Sequence, residues 1–125
     1  MPLARIAIPE HLSNERARAL SKAVHCSLVE TCAVPEKDLF HLISRYAKDD
    51  MIIDPTYPDV QRSPDASIVE VLFLVGRTTT QKALLFAALA DRAEAAGFRR
   101  DDIMIALTEN APTDWSAGGG RVFGK

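Results

Sequence analysis

Four residues of this chain have the type and placement to do chemistry. Pro2 follows Met1, and removal of the methionine would leave a secondary amine heading an apolar run, Leu3 to Ile8. An α-amino group titrates near pH 7.7–8.0, so a modest environmental shift makes it a useful base or acid at neutral pH. By itself a Met-Pro start is commonplace, and Pro2 gains weight only in company. Arg77 closes a second apolar run, Ser67 to Val75, just ahead of a helical pattern. There a guanidinium can hold a carboxylate in bidentate geometry beside a helix N-terminus, or simply be solvated at a strand end. Asp38 precedes another apolar run. It either caps the turn, as Asp102 can do further on, or stands near the amine, where a carboxylate favours the charged form. Trp115 leads into Ser116-Ala117-Gly118-Gly119-Gly120. Such an aromatic can wall a pocket from water or anchor a subunit interface.

Composition removes several function classes. The chain has 125 residues, 47% of them hydrophobic, enough for one compact domain with a core. A net charge of -2 offers no general attraction to nucleic acid or to an anionic membrane, so neither is expected as a partner. The longest apolar stretch, Ile68 to Val75, is interrupted by Glu70 and is far short of the roughly 20 residues of a membrane span. Met1 to Arg5 lacks the pattern of a secretory signal, and a cytoplasmic location is expected. Cys26 and Cys32 fall in one helical pattern, where six residues of rise put them about 9 Å apart, beyond disulfide reach. His11, His25 and His41 stand at no metal-ligand spacing from either cysteine, so no metal is expected. His25 and His41 lack a sequence-local partner and read as structural. The three glycines at 118–120 lack the Lys-Ser/Thr ending of a phosphate loop.

The elements that must position these groups follow from periodicity. Leu3 to Ile8 suits a buried strand, ended by Pro9. Ser13 offers an N-cap to a helix with Leu20, Ala23, Val24, Leu28 and Thr31 on one face and Asn14, Arg18, Lys22 and Glu30 left for solvent. A strand over Leu39 to Tyr46 follows. Ser67 to Val75 is a third strand, Thr79 caps a second helix carrying Leu85, Ala88, Leu89 and Ala96, Gly97 stops it, and Ile103 to Thr108 is a fourth strand.

The pattern is one unit written twice. Pro35-Glu36-Lys37-Asp38-Leu39-Phe40 precedes the second strand much as Arg99-Arg100-Asp101-Asp102-Ile103-Met104 precedes the fourth. Two βαβ repeats, 2–46 and 67–109, are joined by a long linker, 47–66, and followed by an extension, 110–125, all in one domain. Crossover helices of this length imply parallel strands within each repeat. The fold class is α/β (α+β): a four-stranded sheet with two helices on one face. In the third strand Val69, Val71, Phe73 and Val75 alternate with Ile68, Leu72 and Leu74, so both faces are apolar and the helix-free face needs a partner. An obligate oligomer is expected.

Pro2 heading a strand, the two βαβ halves, Gly76-Arg77-Thr78 with Gln81-Lys82, and Glu109-Asn110 before Asp114-Trp115-Ser116 together resemble the tautomerase superfamily. Val34-Pro35 with Asp38, then Asp101-Asp102, Glu109-Asn110 and Asp114-Trp115-Ser116 with glycines resemble its malonate semialdehyde decarboxylase group. The resemblance implies a β-α-β fold assembled as a homotrimer, with no cofactor. It implies a small 2-oxo or 3-oxo acid substrate and catalysis by Pro2, as base or acid in keto-enol tautomerisation or as a cation in hydration or decarboxylation. It further implies Asp38 working beside the proline, Arg77 anchoring the substrate carboxylate, and Trp115 lining the pocket. The decarboxylases carry two arginines flanking a proline at this turn. Val75-Gly76-Arg77 matches only the second, leaving Arg5, Arg45 or Arg121 as sources of further charge. The rival reading is a non-catalytic trimeric binding module that retains Met1, whose amide at Pro2 has no basic lone pair.

Overall fold

A computed structural model describes residues 1–124. Four strands, β1 (Pro2–Pro9), β2 (His41–Tyr46), β3 (Ser67–Leu74) and β4 (Ile103–Asn110), form one sheet in the order β2-β1-β3-β4. Helix α1 (Asn14–Cys32) joins β1 to β2 and α2 (Thr79–Ala95) joins β3 to β4, both crossovers between parallel neighbours. The central pair β1 and β3 is antiparallel, with Pro2 opposite Phe73 and Phe73 opposite Glu109. One end of the sheet therefore gathers the start of β1, the entry to β2 and the exits of β3 and β4.

The core lies between sheet and helices. Ala4, Ile6 and Ile8 of β1 and Val69, Val71 and Phe73 of β3 are buried with Leu20, Val24 and Leu28 of α1 and Leu85 and Leu89 of α2. Each large aliphatic or aromatic side chain so buried contributes about 1.5–3 kcal/mol. The other face stays open: Leu42, Tyr46 and Met104 are 49%, 39% and 48% exposed, beside half-buried Ile68, Leu72 and Leu74. The two-faced apolar character expected of the strands is thus present.

Several boundaries differ from the periodicity. The second strand starts at His41 rather than Leu39, although Phe40 still accepts a hydrogen bond from Ala4 N. The fourth runs on to Asn110. Thr78, not Thr79, caps α2: its hydroxyl accepts from Gln81 N while the Gln81 carboxamide oxygen accepts from Thr78 N, a reciprocal box. Ser13 caps α1 as expected. That helix ends on Ala33 at φ 56, left-handed and without a glycine. The 47–66 linker is pinned, not loose: Ser63 donates through N and Oγ to Asp102, Gln61 N to Asp101, and Asp65 accepts from Arg16. No helix is long and apolar enough to cross a membrane, among the described residues.

Candidate active site

Strand register brings three of the four chosen residues to one place. Pro2 is buried at the head of β1, on the same side of the sheet as Ala4 and Ile6. The amino terminus ahead of it, which belongs to Met1, lies 3.2 Å from Asp38 Oδ2, with the two side chains 10% and 15% exposed. Asp38 Oδ1 is buried with no hydrogen-bond partner, so this carboxylate holds an amine with one oxygen and leaves the other able to accept. The loop that carries it closes on itself, Asp38 N donating to Pro35 O and Leu39 N to Lys37 O.

Arg77 reaches the same end from the β3–α2 turn. Its guanidinium lies 5.2 Å from the ring centroid of Phe73, the residue directly opposite Pro2. It donates to Leu74 O and, across the fold, to Cys32 O, each at 3.2 Å. The second bond satisfies one of the orphan carbonyls where α1 ends in its strained turn, and a cation suits that end of the helix. Two bonds leave part of the guanidinium's five-donor fork free for an anion. Arg77 therefore has a structural task as well as the geometry for an anchor.

Trp115 is at the same end and is held by a different partner. It follows a short 3-10 turn (Pro112–Asp114) after β4, and its indole Nε1 donates to Asn110 Oδ1. Asn110 pairs with Leu74 in the sheet and accepts from Val75 N, which puts Trp115 beyond the strand next to Pro2's neighbour. Of the three arginines expected as sources of further charge, Arg5 and Arg45 lie away from this end of the sheet. Arg5 is exposed in the middle of β1, on the helix-free face, opposite Glu70. Arg45 donates to Leu12 O and Asn14 Oδ1 at the far end of the sheet. Arg121 lies against Gly119 in the C-terminal segment.

Two further contacts at this end were not legible as pairs. Lys82, on the first turn of α2, lies 2.7 Å from Glu109, the residue in the same cross-strand row as Pro2 and Phe73. Both stand in motifs that carry the resemblance, Gln81-Lys82 and Glu109-Asn110, but nothing in the sequence joins one to the other. His25 and His41, read as unconnected, are in edge contact with ring centroids 6.1 Å apart. Burial first, and then the charge of His25, hold His41 below the ordinary histidine value. A cleft of about 670 Å³ lies at the opposite end, between Tyr46, His11 and the linker, and contains none of the four chosen residues.

Comparison with known proteins shows the family. Residues 38–118 match one family model described as a tautomerase enzyme, and residues 2–61 match another. The chain belongs to the tautomerase superfamily. It is 34% identical over 122 residues to the probable tautomerase YusQ of Bacillus subtilis (strain 168), covering 97% of this chain and 96% of that one. Its fold matches FG41 malonate semialdehyde decarboxylase, solved inhibited by 3-bromopropiolate, with a TM-score of 0.91 at 38% identity, over 96% of this chain and 92% of that one. It also matches a symmetric trimer of Q0 fused 4-OT, TM-score 0.78 at 25% identity, over 96% and 94% of the two chains.

Proposed function

We propose that removal of Met1 makes Pro2 the catalytic amine of an enzyme acting on a small 2-oxo or 3-oxo acid. The observation that carries this reading is the amino terminus held by Asp38 beside the Phe73–Arg77 stack. Losing one residue moves the amine along β1 by at most about 3.5 Å, which keeps it near the same carboxylate. A carboxylate so close favours the charged amine. A charged Pro2 donates a hydrogen bond to the ketone or aldehyde oxygen of a 3-oxo acid while Arg77 anchors the carboxylate. The bond between that carboxylate and the α-carbon then breaks, its electron pair passes into the polarised carbonyl as an enolate, and carbon dioxide leaves. Protonation of the α-carbon completes the reaction. The oxyanion-type stabilisation of the developing enolate is the main electrostatic contribution.

Keto-enol tautomerisation is the second reading, favoured by the single arginine at Val75-Gly76-Arg77. There the neutral amine removes a proton from C3 of a 2-oxo acid, the carbon beside the ketone, and returns it to the ketone oxygen as the enol forms, or the reverse. Under either reading the protein works as a homotrimer, its helix-free faces buried between subunits. The trimeric neighbour and the exposed Leu42, Tyr46 and Met104 support that assembly. A neighbouring copy can then bring Trp115 or Arg121 to the open side of the site.

The test compares Met1-processed wild type with Pro2→Ala, following phenylpyruvate enol-keto conversion and carbon dioxide release from malonate semialdehyde. Carbon dioxide release that depends on Pro2 supports decarboxylation, and Pro2-dependent ketonisation without it supports the tautomerase. Neither activity rising above the mutant's background would remove both readings.

A further inference from the structure

The loop that carries Asp38 is tied to α1 by one side chain. His25 Nε2 lies 2.8 Å from the carbonyl oxygen of Glu36, two residues before Asp38. A carbonyl only accepts, so Nε2 carries the proton and donates. One turn earlier on the same helix face, Ser21 Oγ lies 2.7 Å from Nδ1 of His41, the first residue of the strand that follows the loop. α1 thus grips the chain on both sides of Asp38. Burial gives that segment little other support: Pro35, Glu36, Lys37, Leu39 and Phe40 are all exposed, and Val34 is its nearest buried side chain. With so little packing, hydrogen bonds fix where the segment stands.

We propose that His25 is a positioning residue, which through the Glu36 carbonyl holds the Asp38 carboxylate in register with the amino terminus. This rests on the roles given above to Pro2 and Asp38, and it adds a residue that touches neither. The sensitivity has a plain cause, since a misplacement of about 1 Å in a catalytic group can cost about 10²-fold in rate. His25 Nδ1 is buried with no hydrogen-bond partner. Replacing the ring by an apolar side chain therefore removes one bond and orphans no second group.

The experiment uses Met1-processed His25→Leu and His25→Gln, the latter having an amide N–H able to reach the same carbonyl. In the leucine variant kcat falls about tenfold, the scale of one hydrogen bond to a placed group. KM stays near the wild-type value. The amine titration seen in kcat/KM moves to lower pH, because the carboxylate that favours its charged form has been displaced. Amide hydrogen exchange at 36–39 quickens. Glutamine restores kcat, the pH profile and protection together. An unchanged pH profile in the leucine variant overturns the proposal, whether kcat is unchanged or falls only in step with folded protein. So does a glutamine variant that behaves as leucine does. If Pro2→Ala keeps full turnover, the functional reading itself has failed. Exchange at 36–39 then reports the tether alone, as a purely structural contact.

Discussion

The two halves of the chain set an aspartate at the same point ahead of their second strand and use it in opposite ways. Asp102, ahead of β4, is 1% exposed, and both its oxygens are taken by Ser63, one by the backbone N and one by the hydroxyl. Asp38, ahead of β2, gives one oxygen to the amino terminus and leaves the other unpartnered. The difference comes from the chain's direction. In the second half the segment entering β3 is continuous with the linker, so it supplies an N–H and a hydroxyl that never change charge. In the first half the partner is instead the amine ahead of β1. The strand exits differ in the reverse sense between the halves: β1 leads to His11, paired with Asp65, whereas β3 leads to Arg77, stacked on Phe73. One end of the sheet, with Asp102 and His11, closes its polar groups on near neighbours; the other, with Asp38 and Arg77, leaves donors and acceptors available.

The comparison can be broken most directly at the amine. Pro2→Ala in processed protein should lower kcat/KM by about 10²–10⁴-fold, the usual share of a placed general acid or base, as read in the two assays above. Next come the paired aspartates. Asp102→Ala should destabilise by about 3 kcal/mol by orphaning the Ser63 groups, shown by urea midpoints, with turnover per folded molecule kept. Asp38→Ala should cost under about 1 kcal/mol in the same titration and at least about tenfold in kcat. Equal stability losses would erase the distinction between the halves. A smaller contrast lies at the helix starts. Thr78→Ala breaks a reciprocal box and should cost about 1 kcal/mol in thermal unfolding, more than Ser13→Ala, which breaks a single bond.

The smallest effect is a pH slope confined to the first half. His41 is held below its ordinary value of 6.5, so near and below that pH the unfolded chain binds more protons at this site than the folded one. Its contribution is present above about pH 6.5 and is lost as pH falls toward the lowered folded value. Urea midpoints should drop between pH 7 and 5.5 in wild type and drop less in His41→Gln. Equal slopes would remove His41 as the cause.

Much of the fold was legible because burial imposes period on sequence. Val69, Val71 and Phe73 had to share a face, Leu20, Val24 and Leu28 had to share another, and crossover helices of that length make β1–β2 and β3–β4 parallel. The antiparallel meeting of β1 with β3 was not legible, since it depends on how the two units dock. Thr78 and Thr79 are both good N-caps by type, and only the Gln81 partner separates them. His25 and His41 show no sequence-local partner because theirs are a serine on α1 and a loop carbonyl, and because their own edge contact joins a helix to a strand 16 residues on.

The amino-acid sequence by itself determined which groups exist and which local elements carry them: a proline behind Met1, an aspartate before each second strand, an arginine at a strand-to-helix turn. These are near-neighbour facts, governed by propensity, capping and periodicity. Only the tertiary structure decided that Asp38 faces an amine while Asp102 faces a serine, that Arg77 covers the residue opposite Pro2, and that Trp115 is held by Asn110. Those relations depend on the register of β3 between β1 and β4, which places residues far apart in the chain in one cross-strand row. Register is set by the burial of whole faces at once, so no short segment contains it.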